Sequence, residues 1–299
     1  MILDADTQIQ KGAIHVMVSK FLADKDIVVC AGSVGTYAHM YPKLKFSRKA
    51  LVLFQTLEYF RTFFMQRILL DRFNANIVVS GAFAMFDADV IRECGGYSGH
   101  TIGEDMELTM RIHAFCSSQR RPYRIAYTPA ARCHTQFPFR WRDYYRQRRR
   151  WQIGMIQSMR RHRYMCGNLS YGWAGFVSGT VYRFYELYSP FVEILGICTL
   201  IAAYCIGILN VGFAVSAMFI YLVMLMLTQI LLVANINLCG VEPIPLRLQL
   251  LFLLVSVGEF LVYHFISTAT KLFSFLTLRR KGNTWGQIKR SENTNTPDP

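Results

Sequence analysis

The sequence predicts a basic α/β layer followed by a bundle of transmembrane helices. Three observations carry that prediction. Short β-branched runs alternate with helical stretches up to about Pro138. Charge is lopsided: residues 1–165 hold 25 Lys and Arg against 13 Asp and Glu, which is +12 of the total +14. Between Phe184 and Leu246 there is no Lys or Arg at all. A length of 299 residues allows one large or two modest domains.

The elements follow in order. Residues 27–31, 76–80 and 124–127 are β-branched, bounded by turn residues, and read as strands. Residues 47–70 read as one helix, with Leu51, Phe54, Leu57, Arg61 and Phe64 at helical spacing. Aromatics mixed with Arg61 and Arg67 suit a helix at a membrane surface; a helix on an ordinary sheet fits the pattern equally well. From Arg140 to Arg163 a helical run carries nine arginines against one acid, Asp143.

Beyond it the chain reads as membrane. Residues 211–235 carry no charge and would rise about 37 Å as helix, enough to cross a bilayer. Residues 191–209 hold one acid, Glu193, and residues 248–265 hold Glu259. Residues 171–189 form a weaker span, interrupted by Arg183 and Glu186 and ended by Pro190. The first 165 residues and the tail at 279–299 are both basic, and positive charge favours the cytosolic side. Both ends in the cytosol require an even number of crossings, hence four; three spans with an external tail is the competing layout. The expected regions are a cytosolic layer at 1–165, membrane helices at 166–278 and a basic cytosolic tail at 279–299, in the cell membrane. The eight cysteines show no CxxC spacing, which suits a reducing face.

Strong positive charge attracts phosphate, whether of a nucleotide or a lipid headgroup. Adjoining membrane spans argue against nucleic acid as the partner and make the bilayer one. Asp4-Ala5-Asp6 follows an apolar run, so two carboxylates could share Mg²⁺ or Mn²⁺ and present it to a diphosphate. Asp87-Ala88-Asp89 is the same tripeptide but precedes a helix, and reads as a cap. Glu104 and Asp105 follow Gly103 at a helix start. They either complement the helix N-terminus or supply a general base. In Gln147-x-x-Arg150-Trp151, arginine can hold a diphosphate by charge-assisted bonds and the indole offers a sugar a flat face. A solvated or lipid-facing basic helix is the alternative, and it suits the outer arginines.

Taken in order, Asp4-x-Asp6, Ser80-Gly81-Ala82, Gly95-Gly96-Tyr97, Gly103-Glu104-Asp105 and Gln147-x-x-Arg150-Trp151 resemble the processive, membrane-integrated family-2 glycosyltransferases. That group includes cellulose, chitin, hyaluronan and poly-N-acetylglucosamine synthases. The resemblance implies a partial GT-A, Rossmann-like domain that takes a hexose or N-acetylhexosamine from a nucleotide (UDP) sugar. The acceptor would be a growing polysaccharide, transfer would be inverting, and the product would thread through the membrane helices. It implies Asp4 and Asp6 on the metal and Asp105, beside Glu104, as base. Gln147, Arg148, Arg150 and Trp151 would contact the donor diphosphate and the acceptor end, with Ser80, Gly81 and Ala82 near the acceptor sugar. Two departures stand out. Gly103 replaces the usual Thr, a change expected to leave Glu104 and Asp105 in place. The family also carries a donor-binding segment ahead of Asp-x-Asp that this sequence does not show. The expectation is therefore an N-terminally truncated chain, inactive alone, or a non-catalytic subunit whose donor-binding half comes from a separate chain.

Overall fold

The computed structural model describes residues 1–36, 44–239 and 245–278. Its centre is a mixed sheet of β1 (Ile2–Leu3), β2 (Gln8–Ile9), β3 (Ile27–Gly35), β4 (Phe83–Phe86) and β5 (Arg124–His134). The order across the sheet is β1-β4-β3-β5-β2. Only β3 and β5 pair in parallel; the other three pairings are antiparallel. β3 is buried continuously from Ile27 to Val34, as a strand covered on both faces must be.

Helices cover the sheet. α1 (Ala13–Ala23) packs through Ala13 and Met17. α2 (Phe46–Arg61) runs through a π turn (Thr62–Gln66) into α3 (Arg67–Arg72). Leu57, Phe63 and Phe64 of that run join the sheet core, and so do Leu232, Ile236 and Phe252 of the membrane helices. The expected helix at 47–70 therefore contacts the sheet on one side and the membrane helices on the other. α4 (Ala88–Glu93) starts where Asp87 accepts from the backbone N–H of Asp89 and Val90, the capping role read from the sequence. α5 (Glu104–Ser118) buries Leu108, Ile112 and Cys116 in the main core. α6 (Trp141–Arg161) is the basic helix.

Two expectations need correction. Residues 76–80 form no strand. Two of their carbonyls are taken by side chains instead: His113 Nε2 bonds the Asn76 carbonyl at 3.0 Å, and Arg67 bonds that of Val78. The spans expected at 171–189 and 191–209 are one continuous helical run, Leu169–Ile206. It comprises α7 (Gly172–Val177), a π stretch (Ser178–Leu187) and α8 (Tyr188–Ile206). Pro190 opens no break: it lies just past the junction where the π stretch passes into α8. Among the described residues, three helices are long and apolar enough to cross a membrane. The other two are α9 (Val211–Leu238) and the run Leu246–Leu276, made of α10 (Leu246–Gly258), a π turn (Glu259–Tyr263) and α11 (His264–Leu276). The tail expected at 279–299 lies outside the described residues.

Candidate active site

Sheet pairing brings the first two motifs together. Leu3 pairs with Phe83, and the Asp4 N–H points to the Ala82 carbonyl at 3.4 Å. Asp4 therefore lies beside the Ser80–Ala82 segment. That segment meets the third motif, because the Gly81 N–H faces Asp105 Oδ2 at 3.4 Å. Glu104 and Asp105 occupy the first turn of α5, and Asp105 Oδ1 accepts the Met106 N–H at 2.8 Å. Their negative charge there complements the helix N-terminus, as the helix-start reading expects.

Electrostatics show the rest of the cluster. The Glu104 pKa is raised, first by burial, then by the charge of Asp105 and of Asp4; Arg150 opposes the shift. Arg150 of α6 is thus close enough to act on the carboxylates of α5. The Tyr97 phenol is also pushed up, by burial first and then by Asp105, Glu104 and Asp4. Tyr97 therefore joins the acidic wall. It belongs to the Gly95-Gly96-Tyr97 motif, yet nothing in the sequence gives it a role in the site.

A brace aims the Tyr97 loop. Arg111 donates to the carbonyls of Cys94 and Gly96 (2.7 Å for the latter). Its guanidinium is held in turn by both oxygens of Glu107, at 3.1 and 2.8 Å. Glu107 is fully buried and also takes His162 Nε2 at 3.1 Å. Burial alone would raise its pKa; hydrogen bonds from His162 and Arg111 outweigh that and bring it to about 2.

The basic wall approaches through glycine. A Cβ on Gly103 would lie 2.9 Å from Gly154 Cα, and one on Gly154 would lie 2.7 Å from Gly103 Cα. Backbone meets backbone there, so a threonine at 103 does not fit unless α6 moves. The Gly103 departure is thus matched to Gly154, not neutral. Gln157 Oε1 accepts the Ile102 N–H at 2.8 Å, and Ser158 Oγ donates to the Gly103 carbonyl at 3.3 Å. Gly154, Gln157 and Ser158 dock the loop before Glu104 onto the helix that carries Arg150 and Trp151.

The remaining expected residues divide. Trp151 keeps 40% of its surface exposed, and Gln147 Oε1 is buried with no hydrogen-bond partner among the described residues. Arg148 differs: Glu58 of α2 takes its guanidinium through both carboxylate oxygens. Asp6 Oδ2 accepts from the Thr135 hydroxyl at 2.8 Å, beyond the end of β5. Asp4 and Asp6 offer hard carboxylate oxygens suited to Mg²⁺ or Mn²⁺. Among the described residues no group of three or more His, Cys, Asp or Glu gathers around a metal position. Ligand phosphate would have to complete the coordination.

A cavity of about 640 Å³ opens next to this wall. It is bounded by Glu58, Arg61 and Gln66 of the α2 run and by Glu186, Thr228 and Asn235 of the membrane helices.

Carboxylates near an arginine, with an exposed indole on the same helix as that arginine, are groups that acid–base and phosphate chemistry use. The chain belongs to glycosyl transferase family group 2, whose family profile matches residues 1–263. That membership makes the mixed sheet a GT-A glycosyltransferase layer. Curated relatives include the poly-β-1,6-N-acetyl-D-glucosamine synthase of Staphylococcus aureus, 27% identical over 154 residues. The same enzyme of Staphylococcus epidermidis is 26% identical over 154 residues. Each match covers 52% of this chain and 34% of the relative, so the matched part is about a third of the relatives' length. A mannosyltransferase of Pyrobaculum calidifontis, solved with GDP-mannose and Mn²⁺, matches at 16% identity with a TM-score of 0.49. That match covers 88% of this chain and 61% of the mannosyltransferase.

Proposed function

We propose that this chain transfers a hexose or N-acetylhexosamine from a UDP-sugar to a growing polysaccharide, with inversion, at the cytosolic face of the cell membrane. The supporting observation is the gathering of Asp4, Tyr97, Glu104, Asp105 and Arg150 from four separate segments of the chain.

Asp105 takes the proton of an acceptor hydroxyl as that oxygen forms its bond to the sugar's anomeric carbon. The bond from that carbon to the donor phosphate breaks, and the diphosphate leaves with the electron pair. One displacement gives inversion. Arg150 and Gln147 bind the leaving diphosphate, where a fixed cation is worth most as charge develops. Trp151 carries the acceptor sugar on its exposed face, and Ser80, Gly81 and Ala82 flank it. Asp4 and Asp6 would hold Mg²⁺ or Mn²⁺, which supplies positive charge to the diphosphate. The cavity beside Glu58 and Arg61, lined also by Met65, Leu69 and Tyr185, offers both polar groups and apolar faces to a sugar chain entering the membrane helices. The excess of basic residues in 1–165 supports cytosolic placement.

Membranes carrying the chain should incorporate label from UDP-N-acetylglucosamine or UDP-glucose into polymer. EDTA should stop it and Mn²⁺ or Mg²⁺ restore it. Silence with both donors contradicts this reading. One observation favours the second reading, a subunit completed by another chain. β1 is a two-residue edge strand whose outer side pairs with no strand among the described residues, and Leu3 is exposed. Co-purification of a chain bearing further strands, with incorporation only in its presence, would support it.

A further inference from the structure

Arg148 lies inside the basic motif, yet both its terminal nitrogens are committed. They donate to Glu58 Oε1 at 2.5 Å and to Oε2 at 2.8 Å. The Tyr263 hydroxyl donates to the same Oε2 at 2.5 Å. One carboxylate thus joins α2, α6 and the third membrane helix. The Arg148 guanidinium lies 4.6 Å from the Trp151 ring centre and 5.1 Å from that of Tyr144. Tyr263 packs against Tyr144 at 5.4 Å and Phe54 at 5.3 Å, and both tyrosines are buried. One turn on, Arg61 pairs with Glu259 of the same membrane helix. Glu58 and Arg61 also border the cavity.

The chemistry favours a fixed geometry. Burial acts to raise the Glu58 pKa. The Arg148 charge, with hydrogen bonds from Tyr263 and Arg148, outweighs it and keeps the carboxyl below its ordinary value. Arginine's planar fork binds both carboxylate oxygens at once; a lysine would bind as a point charge. A cation under an indole adds attraction that holds the ring.

We propose that Arg148, Glu58 and Tyr263 form a positioning clasp that seats Trp151 on the membrane helix Leu246–Leu276, beside the cavity. Resting on the transfer reading above, the clasp aligns the acceptor sugar on Trp151 with the cavity that receives the product. Arg148 is then a positioning residue, not a substrate ligand. A displaced Trp151 would weaken acceptor binding before it slowed chemistry.

The test uses the full chain in nanodiscs, with Trp141, Trp173 and Trp285 replaced by Phe so that only Trp151 fluoresces. Tyr263→Phe, Glu58→Gln and Arg148→Lys should each raise acrylamide quenching of Trp151. The double variant Glu58→Gln/Tyr263→Phe should add nothing beyond Glu58→Gln, because both act through one carboxylate. Tyr263→Phe removes a single hydroxyl and keeps the ring packing, so it guards against simple misfolding. Unchanged quenching in both Tyr263→Phe and Glu58→Gln overturns the clasp. The kinetic arm adds an oligosaccharide acceptor. Tyr263→Phe should raise its KM about fivefold, the equivalent of one lost hydrogen bond, and leave the donor KM unmoved. A fall in kcat alone would reduce the clasp to a fold brace and overturn the proposal. If the parent chain incorporates no sugar, the transfer reading fails, while the quenching arm still decides the clasp.

Discussion

The two walls of the site are held by different means. The acidic wall is fixed locally: strand pairing places Asp4 beside Ala82, and the Glu107–Arg111 brace aims Tyr97. The basic wall is fixed from afar, through Glu58 in α2 and Tyr263, which is 205 residues from Glu58 in sequence. The walls meet at one backbone contact, Gly103 against Gly154. The basic wall is thus tied to a membrane helix by hydrogen bonds, whereas among the described residues the acidic wall meets the membrane helices only through the shared apolar core.

The largest expected effect comes from the brace. Glu107→Ala leaves the buried His162 and Arg111 without their shared carboxylate and should cost about 3–5 kcal/mol of stability. Thermal unfolding with and without the substitution measures it. The pH dependence has a definite sign. The folded pKa of Glu107, about 2, lies below the ordinary 4.5. Its stabilisation is complete above about pH 4.5 and is lost as pH falls towards 2. Proteolysis within the Gly95–Tyr97 loop should rise across that window in the parent chain and stay flat in Glu107→Gln.

Next in size is the joint between the walls. Gly154→Val forces apart two backbones in contact and should cost about 1–3 kcal/mol, with transfer falling further than stability. Gly103→Thr should behave alike. Normal transfer in both variants would mean that the contact does not set the spacing. The smallest effect belongs to Tyr97→Phe. Loss of one hydroxyl among three carboxylates should change kcat/KM by about fivefold and leave the melting temperature unmoved.

The sequence showed some of this plainly. Asp4-x-Asp6, Gly103-Glu104-Asp105 and Gln147-x-x-Arg150-Trp151 are dense in chemistry over a few residues, so their types alone suggested phosphate and sugar. The β3 run and α9 were legible because long apolar stretches leave few alternatives. Other features depend on contacts that no local pattern carries. Residues 76–80 look like a strand, but His113 and Arg67 take the carbonyls a neighbouring strand would need. Pro190 resembles a span boundary, yet the helical run continues through it from the π stretch into α8. Glu58 and Tyr263 belong to no local motif, and only the fold brings both to Arg148. Adjacency in sequence likewise hides which way a helical side chain points, so nothing local separates Arg148, paired to Glu58, from Arg150.

The central claim is that motifs from four segments make one transfer site with Asp105 as its base. The direct test compares label incorporation from the UDP-sugar by the parent chain and by Asp105→Asn, in membranes holding equal amounts of folded protein. The expected result is a loss of about 10²–10⁴-fold in kcat with donor binding retained. Incorporation that survives Asp105→Asn would contradict the assignment and separate the acidic wall from the chemistry.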